Sequence, residues 1–113
     1  MNIQDYSKQA MSTDVFERTD SISDPGMLEK VFGLVGEAGE VAEKFKKLLR
    51  DKGGEATDED KKEIAKELGD ILWYVNSVAN YLDYDLEQIA TMNLEKVLSR
   101  QQRGMTTGSG DNR

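Results

Sequence analysis

The sequence predicts an all-α fold in which four helices form a bundle-like protomer. Apolar residues recur at helical spacing along almost the whole chain, the single proline is Pro25, and no run of alternating β-branched residues is present. A chain of 113 residues forms one small domain. Because only 37% of its residues are hydrophobic, its core is thin, and we expect the chain to form oligomers.

Three turn segments divide the apolar pattern into four helices. A loop rich in Ser and Asp follows the first helix and runs up to Gly26. The Gly53-Gly54 pair is typical of a helix C-terminus, and the Thr57 hydroxyl can cap the helix that follows it. Asp83-Tyr84-Asp85 forms the last turn. The helices are expected over residues 3–16, 27–51, 57–82 and 86–103.

The domain organisation follows from these elements. Residues 1–103 are expected to form a single all-α domain. Residues 104–113 contain three Gly, two Thr and one Ser, a composition typical of a flexible tail.

The composition excludes several classes of function. The chain has no His and no Cys, which rules out Ser–His–Asp and Cys–His catalysis, Cys/His zinc sites and disulfides. With 15 Lys and Arg against 22 Asp and Glu, its net charge of −7 argues against nucleic-acid binding. No 18-residue apolar run and no signal-peptide pattern is present, so we expect a cytoplasmic protein that neither binds nor spans a membrane.

Two helices carry an acidic pair at the same position relative to their apolar face. Glu37 and Glu40 flank the stripe of the second helix, and Glu67 and Asp70 flank that of the third. If the helices pack as an antiparallel hairpin, these borders meet and the four carboxylates converge. The stripes themselves consist of Val31, Leu34, Ala38, Val41, Phe45 and Leu48, and of Ile64, Leu68, Ile71, Val75, Val78 and Leu82.

Converging carboxylates repel one another unless protons, cations or a metal neutralise them. A set of oxygen ligands without His selects Mg²⁺ or Mn²⁺, with Ca²⁺ a weaker candidate, and excludes a di-iron centre. The alternative is a solvated acidic face, which is common in a chain with 33% charged residues. Gly36, Gly39 and Gly69 beside these acids favour close approach of a helix or ligand, because helical glycine is costly.

The fourth helix carries a polar edge that we call the basic edge, made of Asn93, Lys96, Arg100 and Arg103. Next to a carboxylate–metal cluster it would bind phosphate oxygens; otherwise it is an exposed C-terminal end that suits the helix dipole. The tail could close over a ligand through Asp111, Asn112 and Arg113, or stay disordered. Aromatic residues on the third helix could stack on a base, but are more often core: Trp73, Tyr74 and Tyr81.

Two segments together resemble a known family. Residues 33–43, which include GEAGE, and residues 67–74, ELGDILWY, are similar to the MazG-like nucleotide pyrophosphohydrolases of the all-α NTP pyrophosphohydrolase superfamily. The family pattern is EExxE, a spacer and ExxD. Residues 93–100 resemble its downstream N-x-x-K-x-x-x-R element. Gly36 stands at the first acid of EExxE, so no role of that acid is carried over to this chain.

The resemblance implies Mg²⁺-dependent hydrolysis of nucleoside triphosphates between the α and β phosphates, with Mn²⁺ as a substitute, in a house-cleaning or nucleotide-pool role. It implies Glu37, Glu40, Glu67 and Asp70 as metal ligands, with Glu37 also orienting or deprotonating the attacking water. It also implies a homodimer or homotetramer. Asn93, Lys96 and Arg100, from the matched N-x-x-K-x-x-x-R element, are expected to bind the phosphates. Lys47, a basic residue outside that element, is expected to do the same.

Two other hypotheses remain open at this level. A non-catalytic α-helical module that binds nucleotide or metal would bind its ligand tightly without hydrolysing it. A purely structural bundle would show no change in melting temperature with metal.

Overall fold

The computed structural model describes residues 1–17 and 21–113, and within them it is all-α. Residues 18–20, at the start of the predicted Ser- and Asp-rich loop, lie outside this description. The predicted four helices are confirmed, and the described residues contain no strand. The helices are α1 (Ile3–Met11), α2 (Pro25–Lys52), α3 (Asp58–Tyr81) and α4 (Leu86–Gln102).

Local side-chain chemistry fixes most helix ends. The carboxylate of Asp24 accepts from Gly26 N at 2.6 Å and starts α2 two residues earlier than expected. Gly53 ends that helix in the left-handed conformation, at a φ of 61°. Thr57 caps α3 as predicted and forms a capping box with Asp60. A second capping box, between Asp85 and Gln88, starts α4.

The first helix is shorter than predicted, because it ends at Met11 instead of continuing to Phe16. The hydroxyls of Ser12 and Thr13 bond back to the carbonyls of Gln9 and Ala10 at 2.6 and 2.7 Å. Such bonds compete with helix continuation. The segment after Met11 also makes tertiary contacts that a continued helix would have to break, as described for the site below.

Helices α2 and α3 form a long antiparallel hairpin, and the two short helices pack at one end of it. Near the tip of the hairpin, Lys52 Nζ contacts the Asp60 carboxylate at 2.8 Å. Helices α1 and α4 pack against α3 and against each other near the hairpin's open end. The radius of gyration is 17.0 Å, compared with about 13 Å for a compact domain of this length. The described chain is therefore open rather than globular.

The core is correspondingly small. In the part of the chain that the structure describes, the buried hydrophobic residues are Ala10, Met27, Ala79 and Leu86. Several members of the predicted stripes are exposed instead of buried, including Ala38, Phe45 and Leu68. Two helices alone cannot cover both of their own apolar faces along the outer half of the hairpin. Within the described residues, no helix has the length and apolar character needed to cross a bilayer.

Candidate metal centre and nucleotide cleft

The hairpin brings three of the predicted acids together. Glu37 on α2 lies opposite Glu67 and Asp70 on α3, and one carboxylate oxygen from each lies within 4.8 Å of the others. We call these three residues the acidic cluster. Glu37 and Glu67 are half-buried and Asp70 is exposed, so the cluster lies at the rim of the helix pair and is open to solvent.

The electrostatics of the cluster are dominated by like charges. Burial and the negative charges of Asp70 and Glu67 raise the pKa of Glu37 above its usual value. Among residues 1–17 and 21–113, one cation reaches the cluster: Lys44 Nζ lies 3.5 Å from the Glu67 carboxylate. Since one lysine does not balance three carboxylates, the cluster retains a negative field suited to a divalent cation.

Glu40 lies one helical turn beyond Glu37 and is exposed. Its carboxylate is not among the three that converge, although its charge contributes to the raised pKa of Glu37. Its role as a fourth ligand stays a prediction. Lys44 continues the edge of α2 that carries Glu37, two turns further along the helix.

A cleft of about 330 Å³ adjoins the acidic cluster and is lined by Glu37, Asp70, Trp73 and Tyr74. The two aromatic rings meet edge to face, with centroids 5.0 Å apart and planes at 85°. Trp73 Nε1 donates to Thr13 Oγ1 at 2.9 Å, which ties the segment after α1 to the wall of the cleft. The cleft therefore combines carboxylates with a half-buried aromatic surface.

The glycines near the site divide into two kinds. A Cβ on Gly33 would overlap the Tyr74 ring, so this glycine permits the close approach that forms the cleft. Apart from adjacent residues and the backbone of the same helix, no atom of the described residues lies within 4 Å of a Cβ built on Gly36, Gly39 or Gly69. The close approach expected at these three positions is therefore not made by the described part of this chain, and the surface beside them is open.

A second charged cluster, which the sequence argument missed, lies deeper in the hairpin. Lys30 Nζ is buried, contacts the Asp14 carboxylate at 2.9 Å and also bonds to Glu29. Its ammonium lies over three aromatic rings, those of Phe16, Trp73 and Tyr81, at 4.7, 5.6 and 5.8 Å from their centroids. The available signal was spacing, because Lys30 falls between Met27 and Leu34 at apolar positions of α2.

Asp14 completes this second cluster, which we call the Lys30 cluster. Tyr81 Oη donates to the Asp14 carboxylate at 2.6 Å. Burial acts to raise the pKa of Asp14, but the hydrogen bonds from Tyr81 and from Phe16 N, with the charge of Lys30, outweigh it and lower that pKa. Burial and this same hydrogen bond raise the pKa of Tyr81 to about 12.

The predicted phosphate-binding residues are not all in one place. Asn93, Lys96 and Arg100 share one edge of α4, and Arg100 is buried. Lys47 lies on α2 beside Lys44 and Asp51, ten residues and about 15 Å along the helix from Glu37. The structure gives Lys96 and Arg100 contacts with the tail, and none of their recorded partners belongs to the acidic cluster.

The tail folds back onto the basic edge. Lys96 Nζ donates to the Asp111 carboxylate at 2.9 Å, and Arg100 Nη2 donates to the Asp111 carbonyl at 2.5 Å. Arg103 donates to the main-chain oxygen of Arg113 at 2.8 Å. The predicted flexibility and lid role of residues 104–113, including Asn112, stay predictions.

The comparisons with known proteins agree with the acidic motifs. Residues 28–105 match the model of the MazG nucleotide pyrophosphohydrolase domain, which covers more than half of the chain. The chain therefore belongs to the MazG family. It is also 45% identical to the Gene 37 protein of Mycobacterium phage L5 over 114 residues, a match that spans the whole of both chains. No solved structure matches the chain significantly.

Proposed function

We propose that this protein is a Mg²⁺-dependent pyrophosphohydrolase that cleaves nucleoside triphosphates between the α and β phosphates and acts on the free nucleotide pool of the cytoplasm. The observation that carries the proposal is the convergence of Glu37, Glu67 and Asp70 within a chain that belongs to the MazG family. Hydrolysis gives a nucleoside monophosphate and pyrophosphate.

The donor set fits a hard divalent cation. Three carboxylates with ligand oxygens within 4.8 Å of one another offer oxygen ligands alone, as Mg²⁺ and Mn²⁺ prefer. Glu37, Glu67 and Asp70 would hold the ion, with Glu40 added from the next turn. When bound, the ion neutralises phosphate charge and polarises the reacting phosphoryl group.

Glu37 is the residue proposed to act on the water. Its carboxylate lines the cleft next to Asp70, where it can accept a proton from a water molecule beside the substrate. The water oxygen forms a bond to the α phosphorus while the bond from that phosphorus to the bridging oxygen breaks. Pyrophosphate leaves with the bridging oxygen, and the water proton passes to the Glu37 carboxylate.

Cationic and aromatic groups would bind the rest of the substrate. Lys96 and Arg100, with Asn93 and Lys47, supply the charge and hydrogen bonds for the phosphates. Because the described contacts of Lys96 and Arg100 are with the tail, their use at the acidic cluster requires the tail to move or a second subunit to supply them. Trp73 and Tyr74 offer the base an aromatic surface in the cleft.

We also propose that the chain acts as a homodimer or homotetramer. Large apolar side chains along α2 stay exposed, among them Phe32, Val35 and Leu49 at 67–69% of their full area. The open surface at Gly36, Gly39 and Gly69 would accept a partner's helix. Sedimentation velocity at micromolar concentration tests this: a single species at the monomer mass of 12.7 kDa would refute it.

The test of the activity is a panel of natural and modified nucleoside triphosphates incubated with Mg²⁺, with pyrophosphate and orthophosphate assayed separately. Release of pyrophosphate alone is expected. Release of orthophosphate alone, or of neither product with any nucleotide, would overturn the proposal. Asp70→Asn should reduce turnover at least ~100-fold, as expected when a group that stabilises the transition state is lost. Glu55→Gln, an exposed acid between α2 and α3, should retain wild-type turnover and serves as control.

The second candidate is a nucleotide- or metal-binding module without catalysis, favoured by Gly36 at the position of the first motif acid. Calorimetric titration with a deoxynucleoside triphosphate separates the two. Tight binding without pyrophosphate release would favour the binding module.

A further inference from the structure

We propose that Asp111 is an internal anion that occupies the phosphate-binding cations of α4, and that a phosphate group of the ligand displaces it and releases the tail. The inference rests on the proposed phosphate role of Lys96 and Arg100. It adds a competition between the chain's own carboxylate and the phosphate, which makes the tail a displaceable latch.

The first observation is where Asp111 lies. Its carboxylate oxygen Oδ1 is 2.9 Å from Lys96 Nζ and 3.4 Å from Arg100 Nη2, so one oxygen lies between both cations. A phosphate oxygen would bind to the same two donors. The Lys96 side chain is about a third exposed and that of Asp111 is mostly exposed, so solvent and ligand can reach this contact.

The second observation is that Asp111 leaves this site incompletely satisfied. Arg100 is buried, and its Nε donor has no hydrogen-bond partner among the described residues. The carboxylate and the carbonyl of Asp111 both accept from one guanidinium nitrogen, Nη2. The buried Nε donor stays without a partner among the described residues. Buried unpaired donors are costly. A phosphate, with more oxygens than a carboxylate, can engage additional donors of the same guanidinium.

The third observation is that hydrogen bonds within the tail close it into one loop. Arg113 closes it into a loop through hydrogen bonds to three tail carbonyls, those of Met105, Thr106 and Gly110, at 2.6–3.1 Å. Gly104, with a φ of 69°, joins this loop to α4 in a conformation that other residues rarely adopt. Met105 N donates to the Arg100 carbonyl where the tail leaves α4, and the side-chain contacts of the basic edge with the tail are made to Asp111 and to the main-chain oxygen of Arg113.

The experiment is a calorimetric titration of the full chain with inorganic pyrophosphate, in EDTA so that the acidic cluster takes no part. Asp111→Asn should bind pyrophosphate about three- to tenfold more tightly than the wild type, because the competing charge is gone. Lys96→Met should bind it more weakly than the wild type. Glu95→Gln is the matched control: it removes the same charge next to Lys96 on an exposed surface and should change affinity by less than twofold.

Hydrogen exchange of residues 105–113 gives the second measurement. In the wild type, pyrophosphate should accelerate exchange in this segment, and in Lys96→Met it should not. Equal or weaker pyrophosphate binding by Asp111→Asn, an equal gain in Glu95→Gln, or slower exchange of the tail on binding would each overturn the latch. A latch confirmed by binding in a protein that hydrolyses no nucleotide would refute only the proposed activity. An active enzyme with unchanged Asp111→Asn affinity would refute only the latch.

Discussion

The α2–α3 hairpin carries two charged clusters, about 10 Å apart along α2. They differ in their depth and in the balance of positive and negative charge. The Lys30 cluster is deep and mixed in sign: Asp14 and Glu29 pair with the ammonium, and the Tyr81 hydroxyl donates to Asp14. The acidic cluster is shallow and nearly of one sign, with Lys44 as its near cation. The charges of the first cluster are paired within the chain, whereas under the proposed function a bound divalent cation would neutralise the second.

This difference separates stability from function along a single pair of helices. Removing a charge from the Lys30 cluster leaves its partner buried and unpaired, which destabilises the fold. Removing a charge from the acidic cluster relieves repulsion between carboxylates. It should therefore weaken the proposed binding of a divalent cation without destabilising the fold. Loss of one charge should therefore lower the free energy of unfolding at the Lys30 cluster and leave it unchanged or raise it at the acidic cluster.

The largest expected effect on stability is at the Lys30 cluster. Lys30→Met leaves Asp14 buried without its cation and should lower the free energy of unfolding by ~3–5 kcal/mol, measured by urea denaturation. Lys46→Met is the control, because that lysine makes an exposed ion pair with Glu43 and should change stability little. Equal losses in the two variants would remove the distinction between the clusters.

The next largest effect on stability is expected from a comparison of Gly33 with Gly36. Gly33→Ala should destabilise the chain by ~1–3 kcal/mol, because its Cβ overlaps the Tyr74 ring. Gly36→Ala, one turn along the same helix, meets open space and should stabilise the monomer by ~0.5–1 kcal/mol through better helix propensity. Thermal melting followed by circular dichroism measures both. If Gly36→Ala also weakens self-association in sedimentation, the open surface is part of the subunit contact.

A smaller effect is expected for Glu67→Gln. Without divalent ions it should leave the free energy of unfolding unchanged or raise it by up to ~1 kcal/mol, since a repulsive charge is lost together with a partly exposed pair to Lys44. Mg²⁺ should raise the melting temperature of the wild type, and this rise should be absent in Glu67→Gln. A destabilisation comparable with that of Lys30→Met would contradict the proposed contrast.

The smallest expected effect is the acid dependence of the Lys30 cluster. Because the pKa of Asp14 is lower in the folded chain than its ordinary 3.8, its ionised carboxylate stabilises the fold fully above that value. This contribution is lost as the pH falls through the folded pKa. Denaturation between pH 7 and 2.5 should show Asp14→Asn losing less stability on acidification than the wild type. Asp51→Asn, at an exposed pair with Arg50, should follow the wild type.

Local chemistry made much of the fold predictable. Helix ends with a strong local signal were placed within one or two residues, as at Gly53 and Thr57. The end of α1 was misplaced because Thr13 and Asp14 bind partners about 60 residues away, on α3. The helical spacing of apolar residues alone cannot predict such long-range contacts.

The candidate site was predictable where helical geometry alone decides it. The equal offset of the acidic pairs placed Glu37, Glu67 and Asp70 together. It did not predict which stripe residues stay exposed, since that depends on how far α1 and α4 extend along the hairpin. Nor did it predict the Lys30 cluster, because the partner of this lysine, Asp14, comes from the segment after α1. Helical spacing within α2 gives no information on that contact.

Trp73 is the only tryptophan of the chain, and its position has a practical consequence. One side of the indole lines the cleft beside the acidic cluster, and the same ring lies under the Lys30 ammonium and is bonded to Thr13. The tryptophan fluorescence of the protein therefore comes from one residue between the two clusters. Quenching or a spectral shift on adding nucleotide would follow ligand entry without a label. A red shift in denaturant would follow the opening of the Lys30 cluster in the same emission band.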